Sequence, residues 1–181
     1  NADGINVYNG SDSALENIYK TFIELDDQII IVGPTYDNSR SLTQFYTMRE
    51  AKVLLFEDPF KINYEIVKNL NDVKCIYICN PNNPTGTIFT REQINDIAES
   101  LPSTLIIIDE AYVEFTGNSL VELCNIHDNI IIVRTFSKAF GIAGLRLGYT
   151  ISSLKLSKYL KATRNGKEVN ALAQVAGKTC L

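Results

Sequence analysis

An α/β domain, built in three layers with helices on both faces of a mostly parallel sheet, is the fold class this sequence predicts. Two observations carry that expectation. Short runs rich in β-branched residues alternate with amphipathic segments along the chain. Most of those runs are apolar at consecutive rather than alternate positions, as strands are when both faces of a parallel sheet are covered. Strands are expected at Gln28–Val32, Lys52–Phe56, Val73–Cys79, Thr104–Asp109, Asn129–Thr135 and Arg146–Ile151. Between them, Leu15, Ile18, Phe22 and Leu25 form one helical stripe opened by a capping-box pattern, Ser13-x-x-Glu16. Ile94, Ile97, Ala98 and Leu101 form another after Thr90-x-x-Gln93, and Asn38–Glu50 and Tyr64–Leu70 read as further helices. Such a succession implies right-handed crossovers in an open sheet.

With 181 residues, 45% of them hydrophobic, the chain is long enough for one domain with a sizeable core. A net charge of −4 offers no electrostatic footprint for nucleic acid or an anionic membrane surface. No apolar run approaches the roughly 20 residues that span a bilayer, and we expect no signal peptide. Cys75, Cys79, Cys124 and Cys180 form no CxxC pair, and His127, the only histidine, sits in a polar loop-like stretch. A metal site, a Ser-His-Asp triad and a Cys-His pair are therefore not expected. Unpaired thiols suit the cytoplasm. Both ends read as cut: Asn1–Ala2 resembles a vector remnant, and Val169–Leu181 is still helix-like where the sequence stops.

Ligands of open α/β sheets bind beyond the carboxyl ends of the strands, so the residues following each strand are the informative ones. Tyr36 follows the first predicted strand, and Asn80-Pro-Asn-Asn83-Pro-Thr-Gly86 follows the third. The next ends in Asp109, with Tyr112 close behind, and the fifth ends in Thr135, with Ser137 and Lys138 following. Pyridoxal 5′-phosphate needs such a set: a lysine for covalent attachment, an anion to keep its pyridine nitrogen protonated, donors to its phenolic oxygen, and an aromatic cover. Its phosphate calls for hydroxyls, helix-start N–H groups and an arginine. Ser11 and Asp12 open the first helix, and Arg146 lies eight residues beyond Lys138. Singly, each residue has a plainer reading: Lys138 as a solvated amine, Asp109 as a helix N-cap, Tyr36 and Tyr112 as packing, Ser11 as a cap. Their joint order along the chain favours the cofactor.

The segments NPNNPTG, IIIDEAYVEF and RTFSKAFGIAGLRLGY resemble the class I/II aminotransferases of the type I pyridoxal-phosphate fold, and histidinol-phosphate aminotransferases among them. The resemblance runs over essentially all of residues 7–181. It implies that residues 3–181 are the cofactor-binding large domain, with an N-terminal arm and a small C-terminal domain outside the chain. It further implies that Lys138 holds the cofactor and then carries the substrate proton, its pKa lowered by burial and by the cofactor's charges. Asp109 pairs with the pyridinium, Asn83 and Tyr112 hold the ring's 3-hydroxyl oxygen, and Tyr36 covers the ring. Ser11, Asp12, Thr135, Ser137 and Arg146 bind the phosphate. The implied partners are an amino donor, a 2-oxo acid and a second copy of the protein in a homodimer. Two departures stand out. Ser13 replaces a frequent Glu, and Arg164–Asn170 replaces the usual Pro-aromatic segment near the substrate. Two other readings share the motifs: a phosphothreonine-type decarboxylase, and a catalytically incomplete binding or assembly fragment. A nicotinamide-binding sheet is disfavoured, because no GxGxxG follows the first strand.

Overall fold

The computed structural model describes residues 2–55 and 64–181. Seven strands form one mixed sheet: β1 (Ile5–Tyr8), β2 (Ile29–Gly33), β3 (Lys52–Leu55), β4 (Cys75–Cys79), β5 (Leu105–Asp109), β6 (Ile130–Thr135) and β7 (Gly148–Ser152). Their order is β1-β7-β6-β5-β4-β2-β3. The pairs from β6 to β3 are parallel, whereas β7 runs antiparallel to both β6 and β1.

Helices cover both faces. On one side α1 (Ser11–Phe22) and α5 (Leu154–Thr163) pack Leu15, Ile18 and Leu160 on Ile31, Tyr77, Ile107 and Ile131, with α2 (Asn38–Thr47) alongside α1. On the other, α4 (Arg91–Ser100) and α3 (Tyr64–Lys68) join the apolar turns around Leu120 and Leu123 over Ile30, Ile76, Ile78, Ile106 and Ile132. Consecutive strand residues thus feed opposite layers, which explains the unbroken apolar runs. The last helix, α6 (Ala171–Cys180), packs Ala173 on Phe136 and Leu147. Among the described residues, no helix is long and apolar enough to cross a membrane.

Several local expectations need correction. β1 was not anticipated. Its buried face alternates Asn6 with Tyr8, and the Asn6 amide is satisfied far along the chain, donating to the hydroxyl of Ser157 at 3.0 Å. Helix α1 starts at Ser11, not after a box at Ser13. Gly10 is its N-cap, and the Ser13 hydroxyl instead donates to the carboxylate of Glu168. The helix stops at Phe22, leaving Leu25 exposed. Helix α2 ends at Thr47 because Met48 takes the left-handed conformation, and α3 covers only Tyr64–Lys68. Strand β7 begins at Gly148, since Arg146 is itself left-handed at φ 54°. The box Thr90–Gln93 caps α4 as expected, with both reciprocal bonds formed. Asn1 and Phe56 lie outside the described residues.

Candidate active site

Strand direction decides where the polar residues collect. Strands β2, β4, β5 and β6 all end at one edge of the sheet, and β1, parallel to them, ends there too. Strand β7 is reversed and starts there. In register, Tyr8 at the end of β1 faces Gly148 at the start of β7, which faces Thr135 at the end of β6. One step further, Asp109 pairs with Val133 and with Cys79. All ten residues singled out in the sequence line one cleft at this edge: Ser11, Asp12, Tyr36, Asn83, Asp109, Tyr112, Thr135, Ser137, Lys138 and Arg146. Cys79 and Ala111 line it as well and were not foreseen.

One end of the cleft is a cup whose lining suits an anion. Gly10 has φ +90°, and a Cβ there would lie 2.7 Å from Nη2 of Arg146. A Cβ on Gly148 would lie 2.5 Å from the backbone N of Ser11. Only glycines allow the start of α1, the arginine and β7 to meet this closely. Gly10 offers no side-chain cap, so the first N–H groups of the 12-residue helix are left for a ligand, at the positive end of its dipole. The Arg146 guanidinium is held 3.1 Å from the carboxylate of Asp12. That carboxylate also accepts from the Tyr36 hydroxyl at 3.2 Å and the Asn38 amide at 3.1 Å. One acid therefore ties the cup's arginine to the aromatic wall. Thr135 is buried, and its hydroxyl accepts the backbone N–H of Ser137 at 3.1 Å, shaping the turn that follows β6.

The other end holds a buried acid. Asp109 is 3% exposed. Its carboxylate accepts the Tyr77 hydroxyl at 2.7 Å and the backbone N–H of Ala111 at 3.0 Å. Burial pushes its pKa up to about 6, against the two hydrogen bonds and the Lys138 charge, which favour the ionised form. Asp109 caps no helix: the chain turns after it, and only a short 3₁₀ turn, Val113–Phe115, follows. Between the two ends the Asn83 amide donates to the Tyr112 hydroxyl at 3.3 Å, and Nζ of Lys138 lies 5.4 Å from the centroid of the Tyr112 ring. Lys138 is exposed rather than buried in this chain.

Two supports were missed from sequence. Tyr77 looks like core in an apolar run; only the pairing of β4 with β5 brings its hydroxyl to Asp109. Glu110, fully buried, accepts from Arg134 at 2.7 Å and from the backbone N–H of Leu120 at 2.6 Å, which anchors the segment carrying Tyr112. The two departures noted from sequence meet each other. Glu168 takes the Ser13 hydroxyl and the backbone N–H of Asn9, at 3.3 Å, so the loop before α6 is clipped to the cup.

A model of the aminotransferase class I and II family matches residues 1–181. The chain belongs to the class I and II aminotransferases. It is 38% identical, over 100% of its length and 50% of the relative's, to a dihydroxyacetone phosphate transaminase of Campylobacter jejuni. To a histidinol-phosphate aminotransferase of Thermoanaerobacter pseudethanolicus it is 36% identical, over 93% of this chain and 48% of the relative. Among solved structures, it superimposes on the histidinol-phosphate aminotransferase of Sinorhizobium meliloti in complex with pyridoxal-5′-phosphate. The TM-score is 0.83 at 25% identity, covering 98% of this chain and 50% of that one. The L-threonine-O-3-phosphate decarboxylase of Porphyromonas gingivalis also matches with a TM-score of 0.83, at 26% identity, covering 99% of this chain and 53% of that one. The aminotransferase chain thus spans about half the length of the curated relatives it matches.

Proposed function

We propose that residues 3–181 are the cofactor-binding domain of a pyridoxal-phosphate-dependent transaminase, acting as a homodimer in the cytoplasm. It moves an amino group between a phosphate-bearing amine, of the histidinol-phosphate kind, and a 2-oxo acid. The observation that carries the reading is that the amine of Lys138 and the buried carboxylate of Asp109 line the same cleft, beside an anion cup.

The residues fit the group at each of its chemical ends. The cup, which a Cβ at Gly10 or Gly148 would fill, suits its phosphate, with N–H groups of Ser11 and Asp12, the hydroxyls of Thr135 and Ser137, and the guanidinium of Arg146. The Asp109 carboxylate suits a pyridinium, because a cation beside it offsets the cost of burying its charge. Asn83 and Tyr112 suit the phenolic oxygen, and Tyr36 suits the ring face. When bound, the group supplies an electron sink that lets the α-proton of an amino compound leave. Lys138 would hold the group's aldehyde through Nζ, and its amine would serve as the base that carries the substrate's α-proton and returns it. Asp109 would keep the ring nitrogen protonated, and Tyr36 would cover the ring.

The named relatives and neighbours support a phosphate ester in the substrate, since each is named for one: dihydroxyacetone phosphate, histidinol phosphate or threonine phosphate. The decarboxylase likeness keeps a second reading alive, with loss of CO₂ in place of oxo-acid formation. A screen of phosphorylated and unphosphorylated amino donors against 2-oxo acids, run on the full protein that carries this chain, tests the proposal. We expect amine exchange with no CO₂ released. CO₂ release without a new amino acid would establish the second reading.

A further inference from the structure

We propose that Tyr77 is a positioning residue for the site: its hydroxyl aims the Asp109 carboxylate and holds it as an anion for the cofactor's pyridine nitrogen. The inference rests on the functional reading above. Tyr77 lies on β4, and its side chain shares the α1 face of the sheet with Cys79 and Asp109, because strand residues two apart point the same way. It is 0% exposed, in a layer it shares with two other buried tyrosines, Tyr8 and Tyr19, whose hydroxyls meet neutral amide and hydroxyl groups, whereas that of Tyr77 meets an acid. A buried hydroxyl without a partner is costly, and this one donates to Oδ2 of Asp109 at 2.7 Å, with the Cys79 thiol as a second polar neighbour.

The two donors divide the carboxylate. Tyr77 occupies Oδ2 and the Ala111 N–H occupies Oδ1, which fixes the plane of the group and leaves its remaining lone pairs for the cleft. Burial keeps the Tyr77 phenol protonated well above its ordinary range, so it remains a donor at every working pH. The other ionisable groups facing Asp109 pull in different directions. Asp12, at the start of α1, disfavours the anion, while Lys138, after β6, favours it. Cys79, opposite on β4, is a thiol pushed up to about 12, and Tyr36, after β2, is also raised; both are neutral at ordinary pH. Tyr77 thus gives the anion a neutral, dry partner that neither exchanges a proton nor competes for the ring nitrogen.

The experiment measures two quantities across pH in the full protein, for the parent, Tyr77→Phe, Asp109→Asn and the double variant. One is the carboxylate titration of Asp109 in the cofactor-free protein by ¹³C NMR of labelled aspartate. The other is the dissociation constant for pyridoxal phosphate. Loss of the hydroxyl is expected to move the Asp109 midpoint up by about one pH unit, the effect of removing one hydrogen bond to the charged form. Affinity then falls about fivefold near pH 6 and is nearly unchanged at pH 8.5, where both forms are ionised. Tyr77→Phe has no effect in the Asp109→Asn background. An unmoved midpoint, or an equal loss of affinity at both pH values and in both backgrounds, overturns the proposal, because packing alone then explains Tyr77. Should Tyr77→Phe fail to fold, its rescue by Asp109→Asn supports the coupling, and failure of the double variant as well overturns it. The titration needs no cofactor. A parent protein that never takes up pyridoxal phosphate therefore refutes the functional reading alone, and the midpoint still decides the role of Tyr77.

Discussion

The two edges of the sheet are both rich in charge, and they use it in opposite ways. At the edge where β2 and β4 begin, Asp26, Asp27, Arg49, Glu50, Lys52, Asp72 and Lys74 rim a shallow depression. Arg49 pairs with Asp26 at 2.9 Å and Lys74 with Asp27 at 3.8 Å, with most of these side chains well exposed. Such pairs neutralise one another in water and contribute little. At the opposite edge Asp109 is buried with two neutral donors, Arg146 is paired with Asp12 at 3.1 Å beside a helix start that has no side-chain cap, and Lys138 lines the same cleft. What sets the cleft apart is a buried acid met only by neutral donors, an arrangement that the paired charges of the other edge do not have.

Replacing the cleft's lysine should break the contrast most severely. Lys138→Ala is expected to lower amine exchange by about 10³-fold or more, measured as product formation in the full protein, with the fold intact by circular dichroism. Next comes Asp109→Asn, expected to weaken pyridoxal phosphate binding by about 30-fold or more, as loss of one member of a buried charge pair does. The same variant has a signature in stability. The folded-state pKa of Asp109 is raised from 3.8 to about 6, so its contribution to stability is fully present below about pH 4 and is lost as the pH rises through 6. The cofactor-free Asn variant should gain on the parent between those values, by on the order of 2–3 kcal/mol, and hold the gain above them. Urea midpoints at pH 4.5 and 7.5 check this.

A smaller effect is expected from Gly148→Ala. Its Cβ would crowd the Ser11 backbone nitrogen and open the cup, costing about 1–3 kcal/mol of folding stability and a comparable part of the affinity for phosphate-bearing cofactor. Binding of unphosphorylated pyridoxal should change much less, which sharpens the assignment of the cup. Least of all, Arg49→Ala at the opposite edge should change stability by less than about 1 kcal/mol and leave cofactor affinity alone. A large loss of affinity there would erase the distinction between the edges.

Much of the candidate site was readable because its residues end or follow strands, and strand ends in a parallel sheet converge by geometry alone. Asp109 at the end of LIIID and Lys138 after the β6 segment needed only that rule. What the rule does not reach is reversed or long-range structure. Asn6 interrupts the apolar pattern of β1, and the polar group that permits it, Ser157, lies 151 residues away. The start of α1 was misread because Ser13 looks like a cap, while the true N-cap is a glycine chosen for its closeness to Arg146. Tyr77 was unreadable for a similar reason: a tyrosine in a hydrophobic run is packing until its neighbour across the sheet is known. The exposure of Lys138 was also hidden, since the groups packed around a strand-end loop do not appear in its own sequence.

Borohydride reduction of the protein equilibrated with pyridoxal phosphate, followed by peptide mapping, tests the central claim most directly. We expect an absorbance band from the bound cofactor and a single stable label on Lys138, diminished in Asp109→Asn at equal cofactor concentration. A label on another lysine, or none at saturating cofactor, contradicts the account.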